Sequence, residues 1–242
     1  MLDTLKLKYF QGKQYIPNIQ NAPMREQFRG LPILKEGKVD ESICPTGALK
    51  ANPKSIDLGK CTLCGACKCE SVEFTNYYKL SSTKRENLII TENMTAEDYE
   101  KIAIVTRKEI RKTFGKSLKL RQVSAGGCNG CEMELNACSN VNFDMGRYGI
   151  DFVASPRHAD GIVITGPISE NMAYALENCY KSVPDPKVVI LCGACAISGG
   201  VFAQSEQINR EFLDKYSIDL YIPGCPVHPL TFINAILGFL GR

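Results

Sequence analysis

Twelve cysteines in 242 residues define the chemistry open to this sequence. Three stand at Cys61-Thr-Leu-Cys64-Gly-Ala-Cys67, and another stands earlier in Cys44-Pro45-Thr46-Gly47-Ala48. Cys128-Asn-Gly-Cys131 repeats the two-residue spacing later, and Cys195 and Cys225 follow glycines in Gly193-Ala-Cys195 and Gly224-Cys225-Pro226. Thiolates are soft ligands that suit iron–sulfur clusters and also zinc. The opening stretch Met1–Gln14 carries Lys6, Lys8 and Lys13 and no apolar core segment, so no secretory signal is expected there. In a chain that is not exported, Cys-x2-Cys spacing points to metal rather than to disulfides.

The first group carries its own internal check. Bacterial two-cluster ferredoxins repeat Cys-x2-Cys-x2-Cys-x3-Cys-Pro, and the fourth cysteine of each repeat ligates the other cluster. Here Cys61, Cys64 and Cys67 are three ligands of one repeat, and Cys44-Pro45 is the fourth of an earlier one. The other three of that earlier repeat would fall at Leu34, Gly37 and Asp40, and the remaining fourth at Ser71. Every ligand of one cluster is gone, and every ligand of the other is kept. The expectation is a single 4Fe–4S cluster on Cys44, Cys61, Cys64 and Cys67. Zinc on the same thiolates is the weaker reading, because this triple with a remote Cys-Pro is not a finger spacing. Cys69 is left over as a spare thiol. Phe28-Arg-Gly-Leu-Pro-Ile-Leu34 resembles the leading strand of ferredoxin-like subunits in hydrogenase and complex I assemblies.

The elements that must hold the second group are easier to read. Met94–Phe114 has the pattern of an amphipathic helix, with Thr95 as N-cap, acids in its first turn and Gly115 as a stop. From there Leu118–Ser124, Ile150–Ala154, Gly161–Thr165, Val188–Cys192 and Asp219–Ile222 read as strands. Helices are expected from about Glu132, near Ser169–Lys181, near Ser205–Tyr216 and over Pro229–Leu240. Strands alternating with helices imply a parallel, flavodoxin-like α/β sheet. The division predicted is a ferredoxin-like α+β iron–sulfur domain at 1–82, a helical connector at 83–117, and an α/β domain at 118–242.

In an open parallel sheet the carboxyl ends of the strands gather at one edge, where ligands bind. Cys128 and Cys131 follow the first strand, Cys195 the fourth and Cys225 the last, so distant loops would bring these thiolates to one point. Gly126, Gly127, Gly130, Gly193 and Gly224 permit close approach to a bulky group. Together Gly127-Cys-Asn-Gly-Cys-Glu132, Ser155-Pro-Arg-His-Ala-Asp-Gly161, Thr165-Gly-Pro167, Gly193-Ala-Cys195 and Gly224-Cys-Pro226 resemble the small subunit of group 4 nickel–iron hydrogenases, relatives of the complex I subunit that holds its last cluster. The resemblance spans about Leu118 to Arg242. It implies a second 4Fe–4S cluster on Cys128, Cys131, Cys195 and Cys225, next to the active site of a hydrogenase-type large subunit. It also implies further iron–sulfur or ferredoxin-like partner subunits. Complex I relatives pair adjacent cysteines at the first ligand position, whereas Cys128-x-x-Cys131 follows the hydrogenases. A quinone-reducing or nickel-free complex is the alternative.

Other residues have two readings each. His228 would hydrogen-bond a cluster sulfur or couple a proton to the electron, or simply pack or face solvent, and the last two are the commoner fates of a lone histidine. Arg157 and His158 would approach the cluster or the large subunit, or fill a loop. Glu132 and Glu134 would relay protons or serve the helix dipole, and the dipole is the simpler account. Cys138, Cys179 and Cys192 read as small buried residues, with Cys192 close enough to Cys195 to substitute for it.

Bulk properties exclude several classes. A net charge of +3 and the lack of any Trp argue against nucleic acid. The longest apolar run, Pro229–Leu240, falls short of the roughly 18–20 residues of a membrane span. The expected location is cytoplasmic, or peripheral to a membrane through partners. The function expected is electron transfer through two 4Fe–4S clusters by a non-catalytic subunit of an oxidoreductase complex.

Overall fold

The computed structural model describes residues 2–12, 14–103 and 108–242. The chain opens with helix α1 (Leu2–Gln11), which the sequence pattern did not announce. Two small antiparallel sheets follow. β1 (Pro32–Leu34) is one strand of the first, and β2 (Leu49–Ala51) and β3 (Lys54–Asp57) belong to the second. β4 (Val72–Phe74) pairs with β1, setting Leu34 opposite Val72, and β5 (Ile89–Thr91) pairs with β3, setting Ile90 opposite Ile56. Leu34, Ala48, Leu49, Ile56, Cys61 and Val72 close a small core beneath these sheets. Thus the stretch 83–117, expected to be helical, also supplies a strand.

Its helical part is described as α2 (Ala96–Ala103) and α3 (Lys108–Phe114). Residues 104–107, in the middle of the helix expected over 94–114, lie outside the described residues. The start is fixed by a reciprocal cap. Thr95 Oγ1 accepts from Asp98 N at 3.2 Å, and Asp98 Oδ2 accepts from Thr95 N at 3.2 Å, so two orphan donors are satisfied together.

The second half is a five-stranded sheet flanked by helices. In chain order it runs β6 (Leu118–Ser124), α4 (Gly130–Ala137), β7 (Ile150–Phe152), β8 (Gly161–Thr165), α5 (Glu170–Ser182) and β9 (Val188–Cys192). α6 (Ala194–Ser198), α7 (Glu211–Lys215), β10 (Leu220–Ile222) and α8 (Pro229–Phe239) complete it. The strand order is β10-β9-β8-β6-β7, with every pairing parallel. This is the flavodoxin-like α/β arrangement expected. β8 and β9 are buried along their whole length, as strands covered on both faces must be. Val163, Val188 and Ile190 face Phe232, Ile233 and Ile236 of α8, while Ile162, Ile164 and Val189 face Leu176 of α5. α7 is shorter than the helix expected from Ser205. Residues 207–209 are not helical and lie along the loop before α5, where Ile208 bridges Ser169, Glu170 N donates to Gln207 O and Asn209 N donates to Ile168 O.

The N-terminal third does not stand apart from this core. Ile19 is fully buried under α8, and Asn234 Nδ2 donates to its carbonyl at 3.0 Å. Tyr78 Oη donates to Gln20 O at 3.1 Å. Leu80, Leu88, Ile90 and Tyr99 join the apolar layer on the opposite face of the sheet. Ser82 and Tyr221 exchange two backbone hydrogen bonds, extending the sheet past β10. Among the described residues no helix is long and apolar enough to cross a membrane.

Candidate metal centres

Cys44 ends a 3-10 turn, Glu41–Ile43, that Asp40 caps by accepting from Ser42 N at 3.0 Å. Its Sγ accepts from Ala48 N at 3.2 Å. Burial pushes the Cys44 thiol up, but the amides of Leu49, Thr46 and Ala48 and the Thr46 hydroxyl outweigh it, leaving the group below its ordinary value. Cys61 is buried, and its Sγ accepts from Leu63 N at 3.4 Å. Leu63 is held at φ 53° while its carbonyl accepts from Arg29 Nε at 2.5 Å. Burial pushes Cys61 up to about 12, and the nearby charges of Cys67, Cys44 and Cys64 add to it. Cys67 is pushed up by burial and then by Cys44, Cys64 and Cys69. Four thiols therefore share one electrostatic neighbourhood, with Cys69 at its edge.

The second group is delivered by three strand ends. β6 leads through Ala125-Gly-Gly into Cys128 and the first turn of α4, which bears Cys131. β9 leads through Gly193 into α6, which bears Cys195. β10 leads through Pro223-Gly224 to Cys225. Burial pushes Cys131 up to about 12, opposed by the Val227 amide and reinforced by Glu132, Cys225 and Cys195. Cys195 reaches about 11 through burial, then the charges of Cys225 and Cys128. Cys225 is raised by burial, then by Cys128 and by Cys64. The two groups meet through packing: Leu63 lies against the layer that holds Ala196 and Ile197, and a Cβ on Gly59 would stand 2.7 Å from Ile197 Cγ2.

Two glycines leave room for the sulfurs. A Cβ on Gly193 would stand 2.7 Å from Cys131 Sγ, and one on Gly200 would stand 2.9 Å from Cys195 Sγ. Both have positive φ, 97° and 54°. Four thiols brought to one edge of the sheet, with glycine beside Cys131 and Cys195, fit an iron–sulfur cluster in donor type. Among the described residues no three His, Cys, Asp or Glu side chains are gathered closely enough to hold a single metal ion.

Glu132 is buried, and its Oε1 accepts from Ser124 Oγ and Thr165 Oγ1, both at 2.7 Å. It ties the start of α4 to the ends of β6 and β8, a bracing role that the dipole account did not include. Glu134 is raised by burial. His228 caps α8, its Nδ1 accepting from Leu230 N at 3.2 Å, and lies edge-on to Phe28 and Phe143. Arg157 and His158 are exposed on the turn Pro156–His158. Cys138 and Cys192 are fully buried and Cys179 is half-buried beside Arg121. Burial raises Cys192 well above its ordinary value, followed by the charges of Cys131 and Cys138, so it lies in the core next to Cys131. Sequence reasoning missed Arg210, whose guanidinium donates into the Cys195 turn. Nothing in Asn209-Arg210-Glu211 distinguishes it from an ordinary surface arginine.

The profile of the family described as NADH ubiquinone oxidoreductase, 20 Kd subunit, matches residues 128–239. An uncharacterised protein of Methanocaldococcus jannaschii is 40% identical over 123 residues, 50% of this chain and 82% of its own length. The probable membrane-bound hydrogenase subunit mbhJ of Pyrococcus furiosus is 35% identical over 129 residues, 53% of this chain and 77% of its own. An NADH-quinone oxidoreductase subunit of Heliobacterium modesticaldum is 34% identical over 150 residues, 61% of this chain and 85% of its own.

Proposed function

The chain belongs to the NADH ubiquinone oxidoreductase, 20 Kd subunit family, and from that premise we propose that it relays electrons as the small subunit of a multi-subunit nickel–iron hydrogenase. The observation that carries the proposal is the packing between the two groups: Leu63, beside Cys64, lies against the apolar layer that holds Ala196 and Ile197, next to Cys195, and a Cβ on Gly59 would stand 2.7 Å from Ile197 Cγ2. One 4Fe–4S cluster would be held by Cys44, Cys61, Cys64 and Cys67, and a second by Cys128, Cys131, Cys195 and Cys225. When bound, such clusters supply one-electron transfer at potentials that their surroundings tune.

The chain's own residues do the rest. In this reading residues 1–82 would be the unit around the first group, 83–117 the connector and 118–242 the unit around the second; Ile19 and Tyr99 are buried in the cores of the large sheet. The amides of Ala48 and Leu63 donate to Cys44 and Cys61 sulfurs, and amide donation to ligand sulfur raises a cluster's potential. Cys128 and Cys225 are exposed, and Met133, Val201 and Phe202 beside the second group are exposed apolar side chains. This face would meet the large subunit, while ferredoxin-like partners would exchange electrons at the N-terminal unit. Cys128-x-x-Cys131 supports the hydrogenase over the quinone-reducing assignment.

The test is the metal content of the native complex, captured anaerobically through this chain. The proposal expects nickel near one per complex, beside iron in excess of about eight, the content of two four-iron clusters. Abundant iron without nickel would reassign the complex to another acceptor, such as a quinone.

A further inference from the structure

Arg210 lies half-buried in the loop before α7, and its guanidinium donates four hydrogen bonds, each to a main-chain carbonyl. Nη1 donates to Pro167 O at 3.1 Å and to Cys195 O at 3.3 Å. Nη2 donates to Ala196 O and Ile197 O, both at 2.9 Å. Three consecutive carbonyls of the five-residue helix α6 are thus satisfied by one side chain. Such a helix leaves its last carbonyls short of internal partners; Cys195 O also accepts from Gly199 N at 2.8 Å, and the guanidinium adds donors for Ala196 O and Ile197 O. The fourth bond anchors the turn to the loop after β8. The charges that act on Arg210 are those of Asp214 and Cys195. Arg29, beside Leu63 in the first group, is exposed and therefore more strongly screened.

We propose that Arg210 is a positioning residue for the second cluster, holding the Cys195 turn and raising that cluster's reduction potential through its fixed charge. This inference rests on the two-cluster reading above. Reduction adds one electron, and hence one negative charge, at the second centre. A half-buried guanidinium beside a ligand favours that charge and takes up no proton, since arginine stays charged throughout. It opposes the effect of Glu132, the carboxyl next to Cys131 in α4.

The experiment is an EPR-monitored redox titration of the full chain and of Arg210→Gln and Arg210→Lys. Gln removes the charge but keeps an amide donor for the carbonyls. Lys keeps the charge but serves fewer of them. The expected result is a more negative midpoint for the second cluster in Arg210→Gln, partial recovery in Arg210→Lys, and an unmoved first cluster in both. Loss of the second signal in Arg210→Gln with its return at a near-native midpoint in Arg210→Lys also supports the proposal. Unmoved midpoints, equal shifts of both clusters, or loss of the second signal in both variants would overturn the potential-setting role. A native chain without a second cluster would instead overturn the two-cluster reading itself.

Discussion

Gly193→Ala tests whether the strand-end loops are shaped around sulfur. Gly193 sits at φ 97° and ψ 155°, a region nearly restricted to glycine, and forcing alanine there costs about 1–3 kcal/mol. The new Cβ would also stand 2.7 Å from Cys131 Sγ. If the thiol stays, overpacking adds about 1–3 kcal/mol. If it rotates away, that cost is relieved but Cys131 is lost as a ligand of the second cluster. The expected outcome is a loss of about 2–6 kcal/mol with the second cluster retained, or about 1–3 kcal/mol with it lost. For a chain of this size each kcal/mol lowers the melting temperature by about 2–4 °C. Gly47→Ala is the control, since φ is 62° and nothing lies within 4 Å of its Cβ position. It should lose about 1–2 kcal/mol from the left-handed backbone alone and keep both clusters. Urea titration gives the stability and low-temperature EPR gives the clusters. Gly193→Ala with native stability and a native second signal would mean that sulfur does not shape these loops.

Cys128→Ser and Cys225→Ser should each abolish the second cluster signal and spare the first, read by EPR of the reduced protein; joint loss would mean that the two units bind their clusters as one. Cys44→Ser should damage the first cluster although it lies well upstream of Cys61, and an unchanged spectrum would sink the crossed-ligand assignment. Ile19→Ala removes a fully buried side chain beneath α8 and should cost about 2–5 kcal/mol in urea unfolding; a near-neutral result would detach the N-terminal segment from the core. Burial holds His228 below the ordinary histidine value of 6.5. The unfolded chain then binds its proton more readily, so the contribution is present above pH 6.5 and is lost as pH falls below it. His228→Asn keeps a side-chain acceptor for Leu230 N and should flatten that slope in stability measured between about pH 5 and 7.5.

The parallel sheet was legible because buried strands advertise themselves. Leu118–Ser124, Gly161–Thr165 and Val188–Cys192 have the predicted bounds, each being an apolar or alternating run close to glycine or proline. Ser205–Tyr216 misled because its composition suits a helix, while Gln207 and Asn209 form backbone hydrogen bonds with the loop before α5. The three-residue strands of the first third are too short to show a period. Ile19 sits among Pro17, Asn18 and Asn21, a loop by composition, yet tertiary packing buries it completely. The candidate ligands could be proposed from spacing and strand ends, with the second set completed by the family resemblance. Their supports could not, because Arg210 reaches carbonyls from another loop and Glu132 finds its hydroxyls on two strands. Only the assembled fold brings those together.

The proposed electron relay requires two clusters side by side, where Leu63 of the first group packs against the layer that holds Ala196 and Ile197 beside Cys195. That arrangement is read out by EPR of the fully reduced chain at low temperature, beside the same spectrum of Cys44→Ser. Two paramagnetic centres that split or broaden each other are expected, with the interaction disappearing in the variant to leave one simple signal. A single centre in the native chain, or two signals that add without interacting, would contradict it.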